Sequence, residues 1–447
     1  MRSTSFALIL CCFAATLSQA AAEPAQDTDV AALAERIRLL EENARRLTEQ
    51  ANQALSMARA AQAELAQLKT APSLPAQAEA TPPAAAATAA AANAFNPALT
   101  LILDGVYEHR SKDPAGYQRA GFPLVGEGGG GDQGFQLGES EISLAANIDD
   151  AFYGQLTLAL ESEDGETEVG LEEAYIETSK LPEGFKLRAG RFFSNIGYLN
   201  SRHAHTDLFS TRPLPYQAFL GSQYGDDGVQ VRWVAPTDTF FELGGELFRG
   251  ARYPAEGAAH DGVGAGTLFA HVGGDVGISH SWLAGVSWLR ADPRDGEDGF
   301  SGRNNLYVLD FTWKWAPNGA YKDAGIILRS EAFIDDRDGI VMDAEDPDAF
   351  GQVWNGRRRG AYVEGLYRFN RRWDIGYRYD RLWAASSGPY ASDFDPRRQT
   401  AALTWHPSEF GMLRLQMARD EPQPHYIDHV LGLQYQMSLG AHGAHKF

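Results

Sequence analysis

Cysteine is nearly missing from this chain: it occurs twice, as the adjacent Cys11 and Cys12. Both lie in a segment with the layout of a secretory signal. Met1 and Arg2 precede an apolar run from Phe6 to Leu17, and the small-residue stretch Gln19-Ala20-Ala21-Ala22 follows. The run is shorter than the roughly 20 apolar residues a spanning helix needs, so residues 1–22 are expected to be removed, with cleavage between Ala20 and Glu23. Neither cysteine follows the small residue expected before a lipoprotein cysteine. The mature chain then has no cysteine, which excludes disulfides, thiolate-bound metals and cysteine nucleophiles.

Long apolar runs are also lacking beyond the signal, and the mean hydropathy is −0.33. An excess of positive charge is lacking too: the net charge of −20 argues against nucleic acid as a partner, since that binding leaves a basic footprint. There is no Gly-x-Ser-x-Gly elbow, His-Glu-x-x-His pair or phosphate loop, so neither an enzyme nor a bound cofactor is expected. Aromatic residues and glycine are plentiful, 11% and 46 residues, and they feed short alternating segments. Only every second residue of a transmembrane barrel strand meets lipid, so such a barrel combines this composition with low mean hydropathy.

Before the alternating text begins, Val30, Leu33, Ile37, Leu40, Ala44, Leu47, Ala51, Ala54, Ala58, Ala61, Leu65 and Leu68 keep an unbroken 3-4 spacing. Charged and polar residues such as Glu35, Arg36, Glu41, Glu42, Arg45 and Gln53 take the other faces. This predicts an α-helical coiled coil over 23–69, located in the periplasm, with a helix packed on its own barrel as the alternative. Its alanine-rich seam buries little area, and a trimeric barrel would support it by raising the local concentration of helices. Residues 70–95, almost all Ala, Pro, Thr and Gln, read as a linker.

From residue 96 to 447 the period is two. Tyr307, Leu309, Phe311, Trp313 and Trp315 share one face, and Asp310, Thr312 and Lys314 the other. Trp373, Ile375, Tyr377 and Tyr379 alternate with Arg372, Asp374, Arg378 and Asp380, and Phe152, Leu156, Leu158 and Leu160 share a face with Gly154. Inward charges on so many strands cannot all be buried in an apolar core; a water-filled lumen accommodates them. Strands are predicted near residues 99, 136, 152, 170, 185, 228, 239, 266, 280, 305, 325, 360, 372, 398, 411 and 428. The fold expected is an all-β antiparallel transmembrane barrel of about sixteen strands, a size that leaves an aqueous channel. Short links (147–151, 180–184, 235–239, 273–277, 317–322, 370–372, 406–409) mostly alternate with long ones (108–134, 194–226, 249–264, 291–303, 335–357), as periplasmic turns alternate with external loops.

Several segments resemble a known family: Gly138-Glu139-Ser140-Glu141, Asn147-Ile148-Asp149-Asp150, Ala189-Gly190-Arg191-Phe192-Phe193, the stretch from Leu214 to Leu220, Tyr224-Gly225-Asp226-Asp227-Gly228-Val229-Gln230, the stretch from His271 to Gly277, and the ending from Met437 to Phe447. The likeness spans the barrel from about Phe95. The chain is similar to phosphate-selective-type porins of the Gram-negative outer membrane, some of which are labelled zinc-regulated TonB-dependent outer-membrane receptors. The resemblance implies an outer-membrane location, with lipid, lipopolysaccharide and the assembly machinery as partners, the last reading the terminal Phe447. A TonB-dependent transporter has a 22-stranded barrel and a plug, whereas about 350 residues at roughly 20 per strand suffice for sixteen strands alone.

The resemblance to trimeric porins also implies a homotrimer and a third external loop folded into the lumen. The link after the fifth strand is in that position, and it offers Arg191, Arg202, His203, His205, Asp207, Arg212, Asp226 and Asp227, stiffened by Pro213 and Pro215. An ordinary exposed loop is the alternative. By parity, the lumen-facing candidates are Glu139, Glu141, Lys186, Arg188, Arg232, Glu242, Glu246, Asp310, Arg329, Glu331, Glu364, Arg368, Asp374, Arg378, Asp380 and Arg414, a set of mixed sign. Acidic clusters at 161–168 and 335–348 are expected in external loops. His203 with His205, and His442 with His445, are candidate metal ligands, although neither pair has an evident third ligand in the sequence. The function these features predict is passive diffusion of small hydrophilic solutes or ions, the third loop setting the constriction. The rival readings are a specific uptake channel for a metal or small ligand, and a structural tether to peptidoglycan.

Overall fold

The computed structural model describes Arg38 and residues 97–440, except 127–128, 130, 132, 164–165, 259–261, 295 and 343–348. The expected signal, coil and linker lie outside the described residues, Arg38 excepted, as do His442, His445 and Phe447.

From Ala98 the chain forms one antiparallel sheet closed on itself. Its strands are β1 (Ala98–Arg110), β2 (Gly134–Leu137), β3 (Ser140–Asn147), β4 (Phe152–Glu163), β5 (Glu166–Thr178), β6 (Phe185–Phe193), β7 (Gly225–Val234), β8 (Phe240–Phe248) and β9 (Ala265–Val276). They continue with β10 (His280–Ala291), β11 (Phe300–Trp315), β12 (Gly325–Val341), β13 (Val353–Asn370), β14 (Trp373–Trp383), β15 (Arg397–Ser408), β16 (Gly411–Gln423) and β17 (Tyr426–Gly440). Both β2 and β3 pair with β1, Leu137 opposite Gly105 and Glu141 opposite Ile102, so they are two halves of one barrel strand. The other edge of β1 pairs with β17, from Thr100 opposite Gly440 to Arg110 opposite Val430. Neighbours otherwise pair in chain order, and the result is a closed barrel of sixteen strands. Each predicted strand position falls in or beside one of these, including 170 in β5 and 398 in β15.

Alternation sets what each strand presents to its two sides. Leu187, Val231, Leu268, Leu309, Phe311, Leu328, Val363, Ile375, Met417 and Leu433 are exposed on the outside, although they are large and apolar. Their sequence neighbours Arg188, Asp310, Thr312, Arg329, Glu364 and Asp374 are buried on the inside. An outer surface of this kind is built for lipid. Near the turns at 179–184, 235–239 and 371–372, aromatic rings gather: Phe185 with Trp233, Trp233 with Phe241, Tyr367 with Phe369, and Trp373 with Trp405. Such rings fit an interfacial girdle.

Two expected external loops are shorter than the sequence suggested. β12 continues to Val341 and β13 begins at Val353, so Asp335 is not part of a loop: it and Arg337 continue the inward parity of Glu331 and Phe333 and are buried. Likewise β4 and β5 run to Glu163 and from Glu166, turning much of the 161–168 stretch into strand. In both places the ladder continues beyond the point where the acidic composition suggested a loop.

Arginine in place of the lipid-facing Leu309, near the middle of β11, is expected to cost about 2–4 kcal/mol. Urea unfolding equilibria in lipid vesicles would show this, and an unchanged midpoint would contradict the assignment of that face to lipid.

Candidate functional site

The link between β6 and β7, residues 194–224, folds into the barrel. Its ordered centre is a single short helix, α1 (Leu214–Phe219), all six of whose residues are buried. Pro213 caps the helix and Pro215 occupies its first turn, where a missing N–H is harmless and a fixed φ favours helix. Tyr216 and Phe219 pack on Phe333 of β12, with ring centroids 5.2 and 6.0 Å apart. The helix also abuts β13 where Gly360 lacks a side chain: a Cβ there would lie 2.9 Å from Phe219 and 3.0 Å from Pro215. Further along the loop Gly197, at φ +66°, lies so close to Glu331 that a Cβ would come within 2.4 Å of its carboxylate.

Polar contacts fix the loop to the inner wall on both sides. Glu331 of β12 accepts from the Tyr198 N–H at 2.9 Å, from the Tyr216 hydroxyl at 2.9 and 3.0 Å, and from the Tyr362 hydroxyl at 2.6 Å. The Asn195 N–H donates to Glu246 of β8 at 2.9 Å, and the Gly197 N–H to Ser287 of β10 at 3.1 Å. Arg378 of β14 donates to the Thr211 carbonyl at 2.6 Å, and Arg414 of β16 to the Asp207 carbonyl at 2.9 Å. Within the loop, Arg212 pairs with Asp207 at 3.0 Å and donates to the Leu199 carbonyl at 2.9 Å. Burial first, then the Glu331 carboxylate, pushes the Tyr216 hydroxyl well above its ordinary pKa, so it remains a donor. The link 111–133 folds inward as well: Arg119 donates to Gln217 at 2.8 Å, and Phe122 meets Phe219 at 5.8 Å.

The wall charges are largely partnered. Glu177 accepts from Lys186 at 3.0 Å, Arg188 at 2.8 Å and Arg232 at 3.1 Å. Arg232 also reaches Glu242, which contacts His271 at 3.1 Å. Arg329 pairs with Glu364 at 2.7 Å, Arg378 with Asp380 at 3.1 Å, Arg368 with Asp374 at 2.7 Å, and Arg414 with Gln434 at 2.8 Å. Asp310 lies 4.0 Å from His271. Nearer the external end, Arg337 bridges Asp298 and Asp335, Arg358 joins Asp335 at 2.8 Å, and Arg398 joins Asp420 at 2.6 Å.

Most of the lumen residues expected from parity take part in this inner network. Of the residues expected in the constriction loop, Arg202, His203, His205, Asp207 and Arg212 are in the inward segment. Asp226 is buried at the start of β7 and accepts from the Gly250 and Ala251 N–H groups at 2.8 and 2.7 Å, anchoring the link 249–264 instead. Arg191 and Asp227 pair with each other at 2.8 Å on the outward parity of Leu187 and Val229, so they do not line the lumen. Sequence reasoning missed the Asp335, Arg337 and Arg358 group, which uninterrupted parity along β12 and β13 would have found.

It also missed what surrounds the histidine pair. His203 precedes a turn of 3-10 helix, Ala204–Thr206, that contains His205, and the two rings stack with centroids 5.7 Å apart. His205 Nδ1 is 2.7 Å from Glu141 Oε1, and His203 Nδ1 is 3.2 Å from Glu141 Oε2. His203 also lies 3.3 Å from Glu172 and, through Nε2, 3.0 Å from Glu173. Adjacent strand residues normally face opposite ways. Here the register slips, Thr157 opposing Glu173 and Leu158 opposing Leu171, so Glu172 is the extra residue of a bulge and both carboxylates reach the ring. Burial works to lower the His203 pKa, but Glu141, Glu172 and Glu173 outweigh it and hold it well above the ordinary range.

Removing the Glu331 carboxylate should loosen the loop, since each buried donor left without an acceptor costs about 1–3 kcal/mol. Limited proteolysis of the folded Glu331→Ala barrel is expected to cut within 194–224, with Glu331→Gln cut more slowly. Equal resistance of both variants and the parent would show that the loop does not depend on this anchor.

No protein-family model matches the chain. A protein of Aquifex aeolicus (strain VF5), described only as uncharacterized, is 29% identical over 390 residues, 79% of this chain and 80% of its own length. Among solved structures, the outer membrane channel DcaP of Acinetobacter baumannii aligns with a TM-score of 0.50 at 11% identity, covering 77% of this chain and 97% of its own. The anion-selective porin of Comamonas acidovorans gives 0.50 at 10% identity, with 77% and 99% covered. The trimer form of OmpT, an outer membrane protein of Vibrio cholerae, gives 0.50 at 11%, with 77% and 99% covered. At these identities the likeness is one of fold, and the fold this chain shares is the sixteen-stranded barrel of Gram-negative outer-membrane porins.

Proposed function

We propose that this chain is an outer-membrane channel for passive diffusion of small hydrophilic solutes or ions, working as a homotrimer with the segment 194–224 as its constriction. The observation that carries the reading is that segment's position, inside a charged barrel and bonded to strands on opposite walls, from Glu246 of β8 to Arg414 of β16. A loop held there narrows the path without blocking the barrel through a separate plug domain. The trimer form of the structurally similar Vibrio protein supports self-association, and the shared barrel supports an outer-membrane location. With the wall charges paired, as in Arg329 with Glu364 and Arg378 with Asp380, neither sign dominates, so weak ion selectivity is expected.

A second reading, a channel specific for one class of small ligand, is favoured by the apolar cluster that the loop brings inside, including Leu214, Tyr216, Phe219, Phe333 and Tyr362. Porin-like folds and a network explained by ion pairing favour no enzymatic role. The tether reading rests on the expected coil, and deletion of 23–94 would test it: envelope defects with conductance intact would favour a tether.

Planar-bilayer recording of the purified barrel is expected to show discrete conductance steps with reversal potentials near zero in a salt gradient. Tyr216→Ala combined with Phe219→Ala should enlarge the step. Absence of steps would overturn the channel, and unchanged steps in the folded double variant would overturn the constriction.

A further inference from the structure

We infer that Glu141, His203 and His205, with Glu172 completing the set, form a binding site for a divalent transition-metal ion of the zinc class, built between the inward loop and the wall at β3 and β5. One ligand atom from each of Glu141, His203 and His205 lies within 4.8 Å of the other two, and Glu139, Glu141 and Glu172 form a second such trio. In a tetrahedral zinc site, bonds of about 2.0–2.1 Å place ligand atoms roughly 3.3 Å apart. Two contacts are already at that spacing, His203 Nδ1 at 3.2 Å from Glu141 and 3.3 Å from Glu172, and His205 Nδ1 is nearer still, in hydrogen-bond contact with Glu141 at 2.7 Å.

The ring orientation points the same way. His203 Nε2 is 3.0 Å from Glu173 Oε2, a contact in which an Nε2–H donates to the carboxylate. Nδ1 then faces carboxylate oxygens of Glu141 and Glu172, and neither His203 Nδ1 nor Glu172 Oε2 has a hydrogen bond although both atoms are buried. An ion that displaces the second ring proton would occupy the point on which these atoms converge. The Glu173 contact is also the outer-shell carboxylate-to-imidazole bond typical of metal-binding histidines, which orients the ring and raises its basicity. Two imidazoles with carboxylates select a borderline ion such as Zn²⁺ or Co²⁺, whereas the all-oxygen trio alone would suit Ca²⁺ or Mg²⁺. A bound ion would tie 203–205 to β3 and β5 and add two positive charges to this side of the lumen. The site is independent of the channel reading, because its readout is binding.

The test uses the full-length barrel, folded in detergent, stripped with chelator and titrated with Co²⁺. One equivalent should bind with the visible absorption of tetrahedral Co²⁺, and Zn²⁺ should displace it. His205→Ala and, separately, Glu172→Gln should weaken binding at least about tenfold, the least expected for losing a direct ligand when outer-shell changes alone cost 10–100-fold. Replacing both His442 and His445 with Ala should leave binding unchanged. The heat-modifiable electrophoretic shift verifies that each variant is folded. No saturable binding by the folded parent would overturn the site, leaving a cluster of protonated imidazoles and carboxylates. Binding that survives both ligand variants, or that is lost with His442 and His445, would overturn it too. Displacement of Co²⁺ by Ca²⁺ as readily as by Zn²⁺ would replace it with a hard-cation site.

Discussion

A backbone in lipid has no water to satisfy its N–H and C=O groups, so every strand needs a partner on both edges. The rest of the structure depends on the seam where this requirement is last met, between β1 and β17. Eleven Cα pairs join them, from Thr100 with Gly440 to Arg110 with Val430, and β1 meets β2 and β3 on its other edge. Once the ladder closes, no edge is left open, and period two divides each strand between lipid and lumen. The exposed Leu309 and the buried Asp310 follow from that one geometric fact.

Closure creates a second interior, lined by polar side chains many of which are buried. Charges there must find partners, because desolvation without pairing is costly. The wall answers with ion pairs, often cross-strand, and the inward loop with main-chain groups: Tyr198 gives its N–H to Glu331, and Thr211 its carbonyl to Arg378. Short approaches at Gly197 and Gly360 let the loop lie against the wall. The apolar side of α1 finds Phe333 and Tyr362, so the loop carries a small hydrophobic core into an otherwise charged space. Polar anchoring sets where the segment goes; apolar packing keeps it compact.

Much of this was legible in the chain's text. Strand positions follow from alternation, and the lumen set from Glu141 to Arg414 follows from parity, since parity is a property of the backbone and survives in any closed barrel. Parity failed where the ladder is irregular. At the β5 bulge both Glu172 and Glu173 face His203, which no count by twos predicts. Composition misled at 335–357, where acidic residues suggested a loop and the strand instead continued to Val341. Arg191 and Asp227 border the constriction loop in sequence and are expected in it for that reason, yet their strands turn them outward, where they pair.

The sequence by itself determined the architecture: about sixteen alternating segments, their order, and most of the side chains that face inward, because period two in a closed antiparallel sheet divides each regular strand between its two sides. Only the tertiary structure decided which of those side chains meet. Glu141 and His205 are 64 positions apart and 2.7 Å from each other; Tyr216 and Glu331 are 115 apart and bonded. The path of the loop through the lumen brings them together, and that path is set by contacts with distant strands that no local pattern encodes.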